Sequence, residues 1–237
     1  MPDLLKHSKN ILDDGFTIIE DIYTDAELAA ISGKINSVDT ANPTFRKSTD
    51  LFAIRQFLKE IPEIGQLIFT DSLKTIINSL FGADYFVVKS IYFDKPEQSN
   101  WFVAYHQDLT ISVDKKVELA GYTSWTNKHN QFAVQPPVNI LEDNFTIRIH
   151  LDDTDENNGA LKVIHGSHLQ GIRRVEDVDF PNEDEQICKV NAGGIMIMKP
   201  LLFHASNRTT NNKRRRVIHI EFSKAELPKG IQWSERD

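Results

Sequence analysis

The run Phe86-Val87-Val88-Lys89-Ser90-Ile91-Tyr92-Phe93 decides the fold. It is dense in β-branched and aromatic residues, which suit a pleated, half-buried surface. The pattern recurs downstream. Trp101 to His106, Thr146 to Leu151, Leu161 to Ile164, Ile195 to Met198 and Arg216 to Phe222 each read as strands between clusters of Gly, Pro, Asn and Asp. Many short strands without intervening helices predict an all-β sandwich or barrel. Residues 114–144 and 169–190 read as long irregular connections, and loops of that length in a compact domain usually carry function or motion.

Upstream of Gly82 the pattern is different. Asp14-Gly15 is a turn signal before Phe16-Thr17-Ile18-Ile19, which predicts a short strand. Thr24-Asp25-Ala26-Glu27 has the form of a capping box, and Leu28, Ile31 and Ile35 follow at helical spacing, with Gly33 the weak point of that helix. The same period runs through Leu51, Ile54, Phe57 and Leu58, predicting a helix over 51–60, and through Ile64, Leu67, Ile68, Leu73, Ile76, Ile77 and Leu80 over 63–81. Pro62 and Thr70-Asp71 divide these helices and Gly82 stops the last. The expected organisation is a single domain over 1–237, with 1–82 mostly helical support and 83–225 the β core.

Composition narrows the function. The chain has 237 residues, 40% hydrophobic and 26% charged, with 27 Lys plus Arg against 34 Asp plus Glu and a net charge of −7. That balance opposes attraction to nucleic acid or an anionic membrane, so a small-molecule partner is expected. The single cysteine, Cys188, cannot form an internal disulfide. Charges spread through Met1 to Asp14 interrupt any signal-peptide pattern, and no apolar stretch approaches the roughly 18 residues of a membrane span. A cytoplasmic location is expected, the oligomeric state stays open, and the unusual counts are eight histidines and fourteen phenylalanines.

The chemistry centres on His106-Gln107-Asp108, at the end of the strand-like run from Trp101. On a strand, residues two apart share a face, so an imidazole and a carboxylate can converge while Gln107 points away. A third ligand is available in Phe203-His204-Ala205-Ser206, beyond the apolar run Ile195 to Met198. Two histidines and one carboxylate leave open positions on an octahedral ion, the facial arrangement suited to non-haem Fe(II). Eleven residues past His204 stands Arg215, within Lys213-Arg214-Arg215-Arg216. An inward guanidinium there can hold a carboxylate by two parallel hydrogen bonds. Alternation puts Arg215, Val217 and His219 on one face and Arg214, Arg216 and Ile218 on the other, so a one-residue change of register exchanges the candidates.

The order His106-x-Asp108, then Leu151-Asp152-Asp153 with Asn158-Gly159-Ala160-Leu161 running to Gly166-Ser167-His168, then His204-x-Ser206 and Arg215, resembles the phytanoyl-CoA dioxygenase group of Fe(II)- and 2-oxoglutarate-dependent oxygenases. The resemblance runs from Asp14-Gly15-Phe16 to Phe222, and the Asn-Gly-x-Leu to Gly-Ser-His segment is its most specific part. It implies a double-stranded β-helix, or jelly roll, with the amino-terminal helices packed on one sheet. It also implies that His106, Asp108 and His204 hold iron, that Arg215 binds the distal carboxylate of 2-oxoglutarate, and that Ser206 assists. The offset from His204 selects Arg215 over its neighbours.

The implied reaction consumes O2 and 2-oxoglutarate, hydroxylates an unactivated C–H bond and releases succinate and CO2. Halogenating relatives lack the carboxylate ligand, so Asp108 implies hydroxylation. The chain is short and shows no evident basic surface for a coenzyme A nucleotide, so the expected substrate is a small polar metabolite such as an amino acid or a derivative. Two rival readings are a cupin-like metal-dependent hydrolase or isomerase and a non-catalytic ligand-binding domain of the same fold.

Other residues carry paired readings. Arg148, between Ile147 and Ile149, faces the barrel interior if those two pack outward, and there it meets either an anionic ligand or a structural ion pair. Arg55 reads as a helix-surface arginine or a pocket residue, and Lys95 as a solvated loop lysine or one at the pocket mouth. Trp125 and Gln135 lie in the segment leaving Asp108, where they are candidate substrate contacts on a lid, while Trp125 can equally anchor that loop. His165 and His168 read as turn residues, and His150 and His219 as strand histidines satisfied within the core.

Overall fold

The computed structural model describes residues 3–38, 45–48, 52–97, 99, 101–128 and 131–236, and its sheets draw strands from both ends of the chain. The amino-terminal part runs α1 (Leu4–Asp13), β1 (Phe16–Ile19), α2 (Asp25–Asn36), β2 (Phe45–Lys47), β3 (Phe52–Arg55), α3 (Phe57–Glu60), α4 (Gly65–Ile68) and α5 (Asp71–Phe81). Then come β4 (Phe86–Lys95), β5 (Val103–His106), β6 (Ile111–Val113), β7 (Thr123–Lys128), β8 (Gln131–Gln135) and α6 (Val138–Asp143). The carboxy-terminal part holds β9 (Phe145–His150), β10 (Leu161–Ile164), β11 (Glu185–Cys188), β12 (Ile195–Met198), β13 (His204–Ser206) and β14 (Arg215–Ser223).

The strands form a seven-stranded sheet in the order β1-β12-β9-β14-β4-β3-β2, a four-stranded sheet β11-β10-β13-β5, and a three-stranded sheet β6-β8-β7. All the pairings described are antiparallel. The two larger sheets make the jelly roll. Phe16, Met196 and Met198 of the first pack with Leu161, Val163 and Cys188 of the second to close one part of the sandwich.

Period-two alternation decides what each face of the large sheet touches. Ile147, Ile149, Ile218, Ile220 and Phe222 join Leu28, Ile31, Ile35, Ile68, Leu73 and Ile76 in the largest apolar cluster, so the helices cover this outer face. Each such side chain, fully buried, contributes about 2 kcal/mol. The intervening Thr146, Arg148, His150, Arg215, His219 and Glu221 are buried on the inner side. At the start of α2, Thr24 and Glu27 form the capping box in both directions, and Gly33 sits exposed within the helix, where the space beside it is open. Thr70 caps α5, and Gly82 ends it at φ +91.

Three expectations are corrected. The helix over 51–60 is a strand, β3, followed by the short α3; Leu51 lies outside the described residues. Phe52, Ala53, Ile54 and Arg55 pair with Asp94, Phe93, Tyr92 and Ile91 of β4, and the backbone turns at Gln56 with φ +50. A short apolar run suits either structure, and here the open edge of β4 selected the strand. Residues 1–82 thus supply β1, β2 and β3 to the large sheet besides their helices. The connection 114–144 contains the β7–β8 hairpin and α6, and 169–190 contains β11. The hairpin packs Trp125, Phe132 and Val134 on a second apolar cluster with Val88, Ile111, Leu141, Ile231 and Trp233. No helix among the described residues is long and apolar enough to cross a membrane.

Candidate active site

β5 and β13 are neighbours in the small sheet, and their register sets His106 directly opposite His204. The two imidazole centroids lie 4.2 Å apart. Asp108 follows two residues after His106, and its backbone N–H donates to the Pro200 carbonyl at 2.9 Å. Gln107 points the other way, as alternation requires. Its amide donates to the Gly171 and Leu201 carbonyls, and its Oε1 accepts from the Arg173 backbone, which pins the strand end. His106, Asp108 and His204 each bring one ligand atom within 4.8 Å of the other two.

Protonation in this trio is set by the backbone. Nδ1–H of His106 donates to the Ala104 carbonyl and that of His204 to the Leu202 carbonyl, both at 2.9 Å. The Nε2 lone pairs therefore face Asp108, at 3.9 Å from His106 and 3.7 Å from His204. Burial pushes His204 down to about 4, which keeps its imidazole neutral. Burial would raise Asp108, but His204, Lys89, His219 and His106 outweigh it and hold the carboxyl well below the usual range. The two Nε2 atoms and the Asp108 carboxylate thus face one another, a donor set that fits a divalent cation.

The cavity beside these residues has a volume of about 250 Å³ and is lined by Ala53, Arg55, Phe93, Trp101, Val103, His106, Asp108, Arg148, Leu161, His204, Ser206, Arg215 and His219. Register resolves the arginine run. Arg214 turns outward to Asp94, with Nε 2.7 Å from its carboxylate, and Arg216 makes a two-pronged pair with Asp152 at 2.9 and 2.6 Å. Arg215 alone turns inward. It is 3% exposed, one NH donates to the Gly159 carbonyl, and its Nε has no partner among the described residues. Ser206 Oγ donates to the same carbonyl at 2.8 Å. Gly159 has φ +85, and a Cβ there would fall 2.6 Å from Lys95 Nζ and 2.9 Å from the Asn207 carbonyl. The Asn-Gly pair is thereby explained. Asn158 holds the turn through the Asp155 amide and the Asp153 carbonyl, and Gly159 lets four groups close around it.

Lys95 departs from its reading as a solvated lysine. It ends β4 opposite Arg215, is 1% exposed and donates to the Asn207 carbonyl at 2.6 Å. Burial, and then Arg215, push it down to about 7. Arg55 stands on β3 rather than on a helix and lines the cavity. Trp125 and Gln135 do not line it. Trp125 packs on the second apolar cluster, and Gln135 faces Ser124 across the hairpin at 3.5 Å. The anchoring role of Trp125 is the one the packing favours over a lid.

Arg148 faces the cavity because Ile147 and Ile149 pack outward on the helices. One of its NH groups donates to His219 Nδ1 at 3.2 Å, His219 Nε2–H donates to Glu221 at 3.0 Å, and Lys89 pairs with Glu221 at 2.6 Å. Lys89 and Glu221 escaped the sequence reading, although Glu221 keeps the two-residue phase of Arg215 and His219. His165 bonds to Gln186 and His168 to the Leu12 carbonyl, away from the trio. His150 Nδ1 bonds Thr154 at 2.8 Å, and its Nε2 is buried without a partner among the described residues.

Comparison with known proteins agrees with this geometry. No curated protein matches the sequence. Among solved structures, EctD from S. alaskensis in its apoform superimposes with a TM-score of 0.69 at 18% identity, over 92% of this chain and 76% of EctD. HygX from Streptomyces hygroscopicus, with nickel, 2-oxoglutarate and hygromycin B bound, gives 0.65 at 12% identity, over 92% and 86%. The non-heme α-ketoglutarate-dependent carbocyclase SnoK from nogalamycin biosynthesis gives 0.67 at 15% identity, over 98% and 86%. At these identities the likeness is one of fold. The family profile described as Phytanoyl-CoA dioxygenase (PhyH) matches residues 11–217, and the chain belongs to that family of 2-oxoglutarate-dependent dioxygenases.

Proposed function

We propose that this protein is an Fe(II)- and 2-oxoglutarate-dependent hydroxylase of a small polar metabolite. His106 Nε2, the Asp108 carboxylate and His204 Nε2 would hold the iron, and Arg215 with Ser206 the distal carboxylate of 2-oxoglutarate. When bound, iron and 2-oxoglutarate supply the activation of O2, one oxygen atom leaving in succinate and the other entering the substrate C–H bond. The observation that carries this reading is the converging His-Asp-His trio beside a buried arginine whose Nε has no partner among the described residues.

The chain's own residues do the positioning. The Ala104 and Leu202 carbonyls fix both imidazoles in the ligating tautomer. Arg215 stands ready in its buried site, and the Ser206 hydroxyl can rotate from the Gly159 carbonyl to a carboxylate. Phe93, Trp101, Val103 and Leu161 give the cavity apolar walls, which keep bulk water from the reacting atoms. The cavity volume supports a small substrate over an acyl-CoA. Arg215 also favours an oxygenase over a metal-dependent hydrolase or isomerase, neither of which needs a buried carboxylate clamp.

The test is anaerobic loading with Fe(II) and 2-oxoglutarate, then exposure to O2 with a metabolite panel, reading succinate and a mass gain of one oxygen. Succinate that rises with one panel member and an equal amount of hydroxylated product are expected. A chlorinated product, or turnover of a panel member without 2-oxoglutarate, would overturn the reading.

A further inference from the structure

We infer that Arg148 is the recognition group for a carboxylate on the substrate, and that the substrate is a small monocarboxylic acid without a free amine. This rests on the function proposed above and deepens it. In that reading each carboxylate of 2-oxoglutarate already has its cation, one in Arg215 and the other in the metal. A divalent ion, dianionic 2-oxoglutarate, Asp108 and Arg215 together are neutral, and so is the Lys89–Glu221 pair at 2.6 Å. Arg148 remains. It is 7% exposed and lines the cavity, and it makes no ion pair with a described carboxylate.

Its hydrogen bonding points the same way. One guanidinium NH is tied to His219 Nδ1, and through His219 to Glu221, which orients the group without neutralising it. The Nε–H is buried and has no partner among the described residues. Arg148 sits mid-sheet, opposite His219 on one side and Met196 on the other, so the backbone beneath it is rigid. A buried charge without a counter-ion is costly, and a ligand that brings the opposite charge removes that cost. The open edge of a guanidinium matches a planar carboxylate.

The remaining lining sets the rest of the substrate. Asp108 is the one carboxylate among the lining residues, and the proposed metal engages it, so an ammonium group finds no counter-ion there. Ala53, Phe93, Trp101, Val103 and Leu161 offer apolar contact. The cavity, at about 250 Å³, lies below the roughly 300 Å³ at which ligand pockets ordinarily begin, and it must also take 2-oxoglutarate. A monoanion matches one surplus charge better than a phosphate ester does.

The experiment is calorimetric titration of anaerobic protein loaded with Mn(II) and 2-oxoglutarate. The probes are butyrate, hexanoate and phenylacetate, each beside its primary amide, with norleucine and phenyl phosphate as further arms. At least one acid is expected to bind, with its amide at least about 10-fold weaker. Arg148→Gln should weaken that acid by about 10- to 100-fold, far more than it weakens 2-oxoglutarate, and Arg148→Lys should restore part of the loss. Acids and amides binding alike, no acid binding at millimolar concentration, or tighter binding of norleucine or phenyl phosphate would overturn the inference. A loss in Arg148→Gln that falls mainly on 2-oxoglutarate would also overturn it, by assigning Arg148 to the co-substrate. Failure of Mn(II) and 2-oxoglutarate themselves to bind the native protein would instead remove the proposed function beneath it.

Discussion

The two faces of β9 and β14 are made by the same ten-odd residues of backbone and obey opposite rules. Outward, Ile147, Ile149, Ile218, Ile220 and Phe222 meet the helices in an apolar cluster. Inward, Arg148, His150, Arg215, His219 and Glu221 are also buried, yet two arginines there leave a buried Nε without a partner among the described residues. The outer face lowers the free energy of the fold. The inner face raises it and keeps that strain for a ligand, the usual sign of a site rather than a core.

Substitutions can break this comparison. The largest effect belongs to Asp108→Ala, for which 2-oxoglutarate-dependent succinate formation should fall to background while the thermal unfolding midpoint of the metal-free protein holds. Arg215→Met should raise the KM for 2-oxoglutarate by about 10- to 100-fold. Its midpoint should stay level or rise, because an apolar side chain replaces a buried cation that has no anion. A clear drop in that midpoint would mean that the inner face is structural after all. Ile147→Ala on the outer face should do the reverse: urea unfolding should show a loss of about 2–5 kcal/mol, while Mn(II) stoichiometry in the folded protein is unchanged. Thr24→Ala removes the cap of α2, remote from the cavity, and should cost about 0.5–2 kcal/mol without altering metal binding.

The last effect is a slope. Lys95 is held near 7, below its ordinary 10.5, by burial and Arg215. Between these values the unfolded chain carries the proton and the folded chain does not, so this group's contribution to stability falls as pH drops from the upper value toward 7. Urea midpoints at pH 7 and 9.5 should show this slope in the wild type and its loss in Lys95→Met.

Legibility differed between the faces for physical reasons. Alternation of Ile147, Arg148 and Ile149 placed the arginine inward, because a strand has only two sides and the helices needed the apolar one. The capping box at Thr24 and the stop at Gly82 were equally readable, being local chemistry. The strand at Phe52 to Arg55 was not readable, since its period fits a helix and only the waiting edge of β4 decided otherwise. Lys95 looked like a loop residue beside Pro96, and its burial depends on Gly159 and Asn207, more than sixty residues away. Chain proximity leaves Trp125 two roles, lid contact and loop anchor, and the hairpin that carries it packs on the second apolar cluster.

By itself the sequence determined the residue types and their phase: two histidines and an arginine on strands in step with apolar neighbours that had to face a core, and a carboxylate two residues beyond one of the histidines. The offset from His204 already favoured Arg215, and tertiary structure decided where its neighbours go, Arg214 to Asp94 and Arg216 to Asp152. Tertiary structure also left Arg148 without an ion pair among the described residues and set Lys95 beside Arg215. Those outcomes depend on strand register and on groups distant in the chain, and a buried charge takes its meaning from what else is buried with it.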